Sequence, residues 1–261
     1  MIDVQNQKDK RNIPIQRVGV KGVEIPLRIE KKDDKEGLIV YCRATMSVSL
    51  PSCFRGTHMS RFIEVLNDYK EKCLLSSDIE KILFNVKNKL EADSAYIKLD
   101  FKYFIEKQAP VSGYKSNMCY DCSFEGEVDE NCNFKFYLVT FVPITTLCPC
   151  SKEISQFGAH NQRALLRIKV SYDNNHHIWL EDLIKLAESC SSSEIYSLLK
   201  REDEKFVTET AYQNPKFVED VIRDIVLKLD SNDIINFYEV EVEAFESIHN
   251  HNAFAYQKCS K

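Results

Sequence analysis

The spacing of apolar residues changes from two to between three and four and back to two, and it does so twice along the chain in the same order. In the first pass Ile15, Val18, Val20, Val23, Ile25, Leu27 and Ile29 trace a strand broken by Gly19 and Gly22. Leu38 to Cys42 follows a charged turn, Lys31 to Gly37, so the two runs predict a hairpin. From Thr57 the period is helical, with Met59, Phe62, Val65, Leu66, Tyr69 and Cys73 on one face. A second helix is predicted over Asp78 to Glu91, with Ser77 and Glu80 as a capping box. Alternation then returns in Ala95 to Tyr103 and again near Met118 to Val128.

The second pass begins with strands at Phe134 to Val142 and Leu165 to Tyr172. A helical region over Leu180 to Leu199 is interrupted at Ser191-Ser192-Ser193, and a clearer helix starts at Asn214-Pro215, read as N-cap and first position. Tyr238, Val240, Val242 and Ala244 alternate with Glu239, Glu241 and Glu243, and a short strand is expected over Ala253 to Gln257. Each half therefore reads strand-strand-helix-helix-strand-strand. The expectation is an α+β fold of two similar units, 1–130 and 131–261, with antiparallel sheets backed by helices.

Composition removes several classes of function. With 261 residues, 44% hydrophobic, and only 7 Gly and 7 Pro, the chain has the makings of a large core and none of a disordered or fibrous protein. No apolar run reaches the ~18 residues of a membrane span, and the opening Met1 to Lys8 is too polar for a signal peptide. A cytoplasmic location is the expectation. The 40 acids against 35 bases give a net charge of -5, which argues against general nucleic-acid binding while leaving room for a small anionic ligand. Ten cysteines are too few for a disulfide scaffold of this length, so thiols here mean packing, metal or catalysis.

The chemistry concentrates between two predicted strands, in Leu147-Cys148-Pro149-Cys150-Ser151-Lys152 and Gly158-Ala159-His160-Asn161-Gln162-Arg163. Thiolate and imidazole suit zinc or another borderline divalent ion, and three protein ligands plus water is the catalytic arrangement. A surface loop with incidental Cys and His is the alternative reading. Cys119 and Cys122 form a CxxC, but in a strand, residues three apart point to opposite faces, which leaves isolated thiols. His249 and His251, read at the close of the last long strand, share one face and could reach one pocket; an exposed polar turn is the alternative. His176 and His177 sit in the turn-like Asp173-Asn174-Asn175-His176-His177 and read as solvated loop. His58 starts a helix beside Arg55 and Arg61, where unsatisfied N–H groups and positive charge suit a phosphate. The run Lys200 to Lys205 reads as an exposed charged turn between helices, and Glu219 sits at the edge of an apolar helix face.

These segments together resemble the prokaryotic type IB GTP cyclohydrolase I family. The resemblance is carried by Thr57-His58-Met59-Ser60-Arg61-Phe62, Pro110-Val111-Ser112-Gly113, the Cys148 and His160 motifs above, Lys200-Arg201 with Asp203-Glu204-Lys205, Asn214 to Asp220, and Ser247-Ile248-His249-Asn250-His251. It implies the tunnelling fold, with two tandem ββααββ units per subunit and a homotetramer. It implies that Cys148, His160 and Glu204 hold a divalent metal (zinc, manganese or ferrous iron), that Cys150 is an essential second cysteine, and that Glu219 anchors the guanine of GTP. His249 and His251 match pocket histidines suited to proton transfer. His58, Arg61, Lys152 and Arg163 are triphosphate partners by charge and motif proximity, with donation across a subunit interface as one arrangement. Glu202 stands where the family's pattern has proline. The implied reaction is hydrolytic opening of the purine at C8 by water that the metal acidifies, loss of formate, and release of 7,8-dihydroneopterin triphosphate.

Three other outcomes are compatible with parts of the pattern. A tunnelling-fold nitrile reductase would use Cys150 without metal, and a non-enzymatic metal-binding assembly would leave Glu219 and the two histidines idle. An archaeal-type cyclohydrolase would give a cyclic phosphate product.

Overall fold

The computed structural model describes residues 5, 7–70, 72–173 and 176–261. Met1–Val4, Asn6, Asn174 and Asn175, which belong to two of the segments read above, lie outside the described residues. The chain forms two compact units, Met1–Lys102 with Ser123–Leu138, and Tyr103–Cys122 with Val139–Lys261. Their boundary cuts three long strands, β4 (Ala95–Gln108), β5 (Lys115–Val128) and β6 (Phe134–Leu147), each of which gives one end to each unit. No helix among the described residues is long and apolar enough to cross a membrane.

In the first unit the strand order is β3-β1-β2-β4-β5-β6. β1 (Ile15–Lys31) and β2 (Asp34–Leu50) are antiparallel, with Ile25 opposite Cys42 and Leu27 opposite Val40. Pairing runs on to Lys31 and Asp34, so the charged turn is shorter than the sequence predicts. Helices α1 (Met59–Asn67) and α2 (Ser76–Lys89) bury Phe62, Val65 and Leu66, and Ile79, Ile82, Leu83 and Val86. Phe101, Phe124 and Phe136 meet edge to face at 5.1 and 5.6 Å, continuing this core along the strands. Gly126 lets α2 lie close on the sheet, because a Cβ there would fall 2.6 Å from the Ile79 methyl.

Two local expectations are corrected. Cys73 is not on a helix: α1 ends at Asn67, and Cys73 enters β3 (Cys73–Leu74), parallel to β1. Its sulfur occupies the space over Gly37, whose φ of +65° and missing Cβ, otherwise 2.7 Å from that sulfur, both require glycine. The second helix is capped two residues earlier than Ser77 implies, with Asp78 accepting the Leu75 N–H at 3.1 Å.

In the second unit the strand order is β4-β5-β6-β7-β8-β9. It comprises α3 (Pro149–Ile154), β7 (Asn161–Tyr172), α4 (Leu180–Glu188), α5 (Arg201–Gln213), α6 (Val218–Asp230), β8 (Ile235–Ala244) and β9 (Ala253–Ser260). Leu166, Ile168 and Val170 sit opposite Val242, Val240 and Tyr238, and all six are buried. Arg167 and Lys169 share the other face with the glutamates of β8, and Arg167 pairs with Glu239. This is the one-sided pattern of a helix-backed antiparallel sheet. The ammonium of half-buried Lys107 meets two carboxylates, buried Glu188 at 2.7 Å and part-exposed Glu194 at 2.9 Å, while Tyr120 donates to Glu188 at 2.8 Å.

The charged run Lys200 to Lys205 is the start of α5 and not a turn. Asp203 explains why. Its carboxylate accepts the N–H groups of Val111, Ser112 and Lys200 at 2.8 to 2.9 Å and the Ser112 hydroxyl at 2.6 Å, although the residue is wholly buried. Glu202, Asp203 and Glu204 also place negative charge on the helix N-terminus. Asn214, read as an N-cap, instead ends α5 and donates to the carbonyls of Ser191 and Ser192; α6 begins at Val218, with Asp220 accepting the Phe217 N–H. The serine cluster follows the end of α4, and Ser193 forms a bridge to Thr145.

Burial opposes the charge of Asp203, but the bonds from Ser112, Lys200 and Val111 outweigh it and hold the carboxyl well below the usual carboxylate range. A carboxyl lowered on folding stabilises above its unfolded value of about 3.9 and loses that contribution as pH falls toward its folded one. Asp203→Asn should therefore lower the urea midpoint at pH 7, with the gap to wild type closing between about pH 4 and pH 2. An equal gap at both ends of that range would refute this account.

Candidate active site

The last residues of β6 tie together the segments that carry the chemistry. Thr145 bonds to Ser192 and Ser193 through its backbone, and Leu147 donates to the Ser192 hydroxyl at 3.1 Å. Leu147 also accepts the Lys216 N–H at 3.0 Å, and Cys148 donates its N–H to the His160 carbonyl at 3.1 Å. Lys216 is anchored further by its ammonium, which reaches the Cys190 carbonyl at 3.0 Å and Asp224 at 2.6 Å. The chain thus brings residues 145–148, 160–162 and 216–219 to one place through main-chain bonds.

Within this frame Cys148 is the N-cap of α3, and Pro149 takes the first helical position, where a missing N–H costs nothing. The Cys148 sulfur accepts the Ser151 N–H at 3.4 Å. The Ser151 hydroxyl accepts the His160 N–H at 3.1 Å and donates to the Cys148 carbonyl at 3.3 Å, so one side chain clamps both candidate ligands. His160 Nδ1 lies 3.1 Å from Gln162 Oε1.

Cys148, His160, Glu219, Glu246, His249 and His251 all line one cavity of about 490 Å³ in the second unit. That volume falls in the range of small-molecule sites. Glu219 is exposed in the first turn of α6, beside buried Val218. His249 and His251 lie in the connection between β8 and β9, not on a strand as the sequence reading had them. Their rings are nonetheless stacked, with centroids 5.1 Å apart and planes at 15°.

Other predicted site residues lie outside this cavity. Glu204 is exposed, one residue past buried Asp203; at ~100° per residue, the clamp that buries one turns the other away. Cys150 is exposed in the first turn of α3 and does not line the cavity. The Lys152 ammonium is held by the Tyr212 carbonyl at 2.5 Å and lies over the Tyr212 ring. Arg163 is exposed on β7, where its carbonyl accepts the Phe245 N–H. His58 and Arg61 belong to the first unit: His58 is the N-cap of α1, and Arg61 donates to the Lys89 carbonyl at 2.8 Å.

Among the described residues no three of His, Cys, Asp and Glu are grouped to hold a metal ion. The donors present in the cavity still fit one. Cys148 and His160 both line the cavity and offer sulfur and nitrogen donors, and Gln162 Oε1 stands 3.1 Å from the imidazole Nδ1, where outer partners stand at metal sites. By contrast Cys122 is buried beside Thr140, and burial pushes its thiol up to about 12; Cys42 is raised likewise. Cys119 is exposed, so this CxxC does present its sulfurs to opposite faces. His177 packs edge to face between Tyr172 and Trp179.

Glu246 and Gln162 were not singled out from the sequence as site residues. The available signals were spacing: Gln162 stands two residues beyond His160 on a strand, and Glu246 three before His249.

The model of the type I GTP cyclohydrolase folE2 family matches residues 1–255. A GTP cyclohydrolase FolE2 of Geotalea uraniireducens is 52% identical over 255 residues, covering 98% of this chain and 92% of the relative. One from Thermosipho africanus is 52% identical over 256 residues, covering 98% and 96%. The chain belongs to the type I GTP cyclohydrolase folE2 family. Among solved structures, urate oxidase from Bacillus sp. TB-90 aligns over 95% of this chain and 100% of its own, with a TM-score of 0.57 and 10% identity. Urate oxidase has the tunnelling fold, and at that identity the likeness bears on the fold alone.

The Ser151 clamp has a measurable weight. Ser151→Ala should cost about 1 kcal/mol in urea unfolding and should speed alkylation of Cys148, followed by peptide mass spectrometry. Wild-type values for both would show that the loop is held by its backbone bonds alone.

Proposed function

We propose that the second-unit cavity is where this chain acts as a type IB GTP cyclohydrolase I, a hydrolase of cyclic amidine C–N bonds that converts GTP to formate and 7,8-dihydroneopterin triphosphate. The observation that carries the proposal is the convergence of Cys148, His160, Glu219, His249 and His251 on one cavity, although they come from four separate stretches of sequence. Glu219 has the chemistry to accept paired N–H groups from the guanine edge, and it stands exposed on the first turn of α6. The stacked imidazoles of His249 and His251 can hold or pass protons at Nδ1 or Nε2 as the purine ring opens and the new ring closes.

Cys148 and His160 are the residues that would hold a divalent ion, with Glu204 added as third ligand on the strength of the family resemblance. When bound, zinc, manganese or ferrous iron there supplies Lewis acidity for the hydrolytic step. Cys150 is assigned to turnover and not to metal binding. His58, Arg61, Lys152 and Arg163 are assigned to the triphosphate, with His58 and Arg61 supplied by a neighbouring copy in a homotetramer. The cysteine content suits a reducing cytoplasm. The product would enter folate or 7-deazaguanosine tRNA nucleoside synthesis.

Metal-stripped protein given GTP with zinc, manganese or ferrous iron should release formate and a pterin that fluoresces after oxidation. Neither product with any of the three metals would overturn the assignment. Cys148→Ala should lose bound metal, whereas Cys150→Ala should keep it and lose turnover; equal metal loss in both would reverse that division. Glu219→Gln should lower kcat/KM for GTP by about 10- to 100-fold, the loss of one charge-assisted bond. A change of less than twofold would remove Glu219 from base recognition.

A further inference from the structure

We propose that Gln162 is a positioning residue that locks His160 in the Nδ1–H tautomer and presents its bare Nε2 to the cavity. The proposal rests on the reading of His160 as a metal ligand for its purpose, but the tautomer itself follows from hydrogen-bond chemistry around Gln162.

The side-chain amide of Gln162 has one accepting and one donating end, and its surroundings determine which faces where. Glu246 Oε1 lies 3.2 Å from Gln162 Nε2. An ionised carboxylate only accepts, so it must be met by the amide N–H₂. The second amide hydrogen is directed at the Thr146 hydroxyl, 3.3 Å away. The carbonyl end is then turned to His160 Nδ1 at 3.1 Å, and a carbonyl can only accept. His160 Nδ1 must therefore carry the proton, and in the neutral ring Nε2 keeps its lone pair. The orientation of the histidine is set, through one amide, by a carboxylate in the connection between β8 and β9, 84 residues further along the chain.

The same reasoning explains why glutamine serves here better than its near relatives. Glutamate at 162 could still accept from Nδ1–H, but it would set a second carboxylate against Glu246. Leucine would fill the space without fixing either neighbour. Outer partners of this kind typically change metal affinity by about 10- to 100-fold when removed.

The test uses full-length protein with ¹⁵N-labelled histidine, sedimented for magic-angle-spinning NMR without metal, His160 being assigned by subtraction of His160→Ala. Wild type should show a protonated Nδ1 and a bare Nε2. Gln162→Leu should shift His160 toward the Nε2–H form and weaken cobalt(II) binding, read from its visible absorption, by about 10- to 100-fold. Gln162→Glu should retain the Nδ1–H form, and unchanged melting temperatures would show that both variants fold. A wild-type His160 spectrum in Gln162→Leu would overturn the proposal. Loss of Nδ1–H in Gln162→Leu, together with no cobalt binding by wild type, would uphold the tautomer lock and overturn the metal reading instead.

Discussion

The short stretch at the end of β6 fixes the candidate site. A strand normally spends its backbone groups on the two strands beside it, but Thr145, Leu147 and Cys148 spend several on segments that are neither. Ser192 and Ser193, Lys216, and His160 are each drawn to this point by a main-chain group, and the last two bring Glu219 and the imidazole to the cavity. Backbone groups survive every substitution except replacement by proline, which removes the N–H. A site assembled through them depends on the fold and little on the identity of the connecting side chains, which is the arrangement expected where reacting groups must be held to a fraction of an ångström.

Buried charge does a second kind of positioning. Asp203 and Glu188 are both buried carboxylates, yet they are treated differently. Asp203 is surrounded by donors, three of them backbone N–H groups, and joins the hairpin tip between β4 and β5 to the start of α5. Glu188 is buried beside the ammonium of Lys107 and the Tyr120 hydroxyl, and burial outweighs them, so its carboxyl is raised. The first arrangement is a fixed joint between segments. The second is an ion cluster around one buried carboxylate, where removing Lys107 leaves Glu188 uncompensated.

What could be read from sequence follows the strength of periodicity. The strands of both units were legible because one face is buried and the other is not, as in Leu166, Ile168 and Val170 against Arg167 and Lys169. Helix α5 was not, because only Asp203 and Ala211 among its residues are buried, and its stability comes from a polar clamp with no apolar period. Cys73 kept the helical spacing of Tyr69 by coincidence while belonging to a strand. At the site, the motifs around Cys148 and His160 and the pair His249 and His251 were visible as residue types. The roles of Gln162 and Glu246 were not, because an amide and a carboxylate 84 residues apart have no sequence signature of their contact.

The connection from Cys148 to His160 is closed at its base by a backbone bond and by Ser151, while its far end is open: Ile154 and Phe157 are 83% and 91% exposed. Such a loop sets two different physical constraints within eleven residues. Its base must stay constant for the two ligands to remain adjacent, whereas its tip can change composition or gain residues at an entropic cost that grows only with the logarithm of its length. The positions of this loop with the fewest packing constraints, Ile154 and Phe157, thus lie only a few residues from the groups that carry the chemistry.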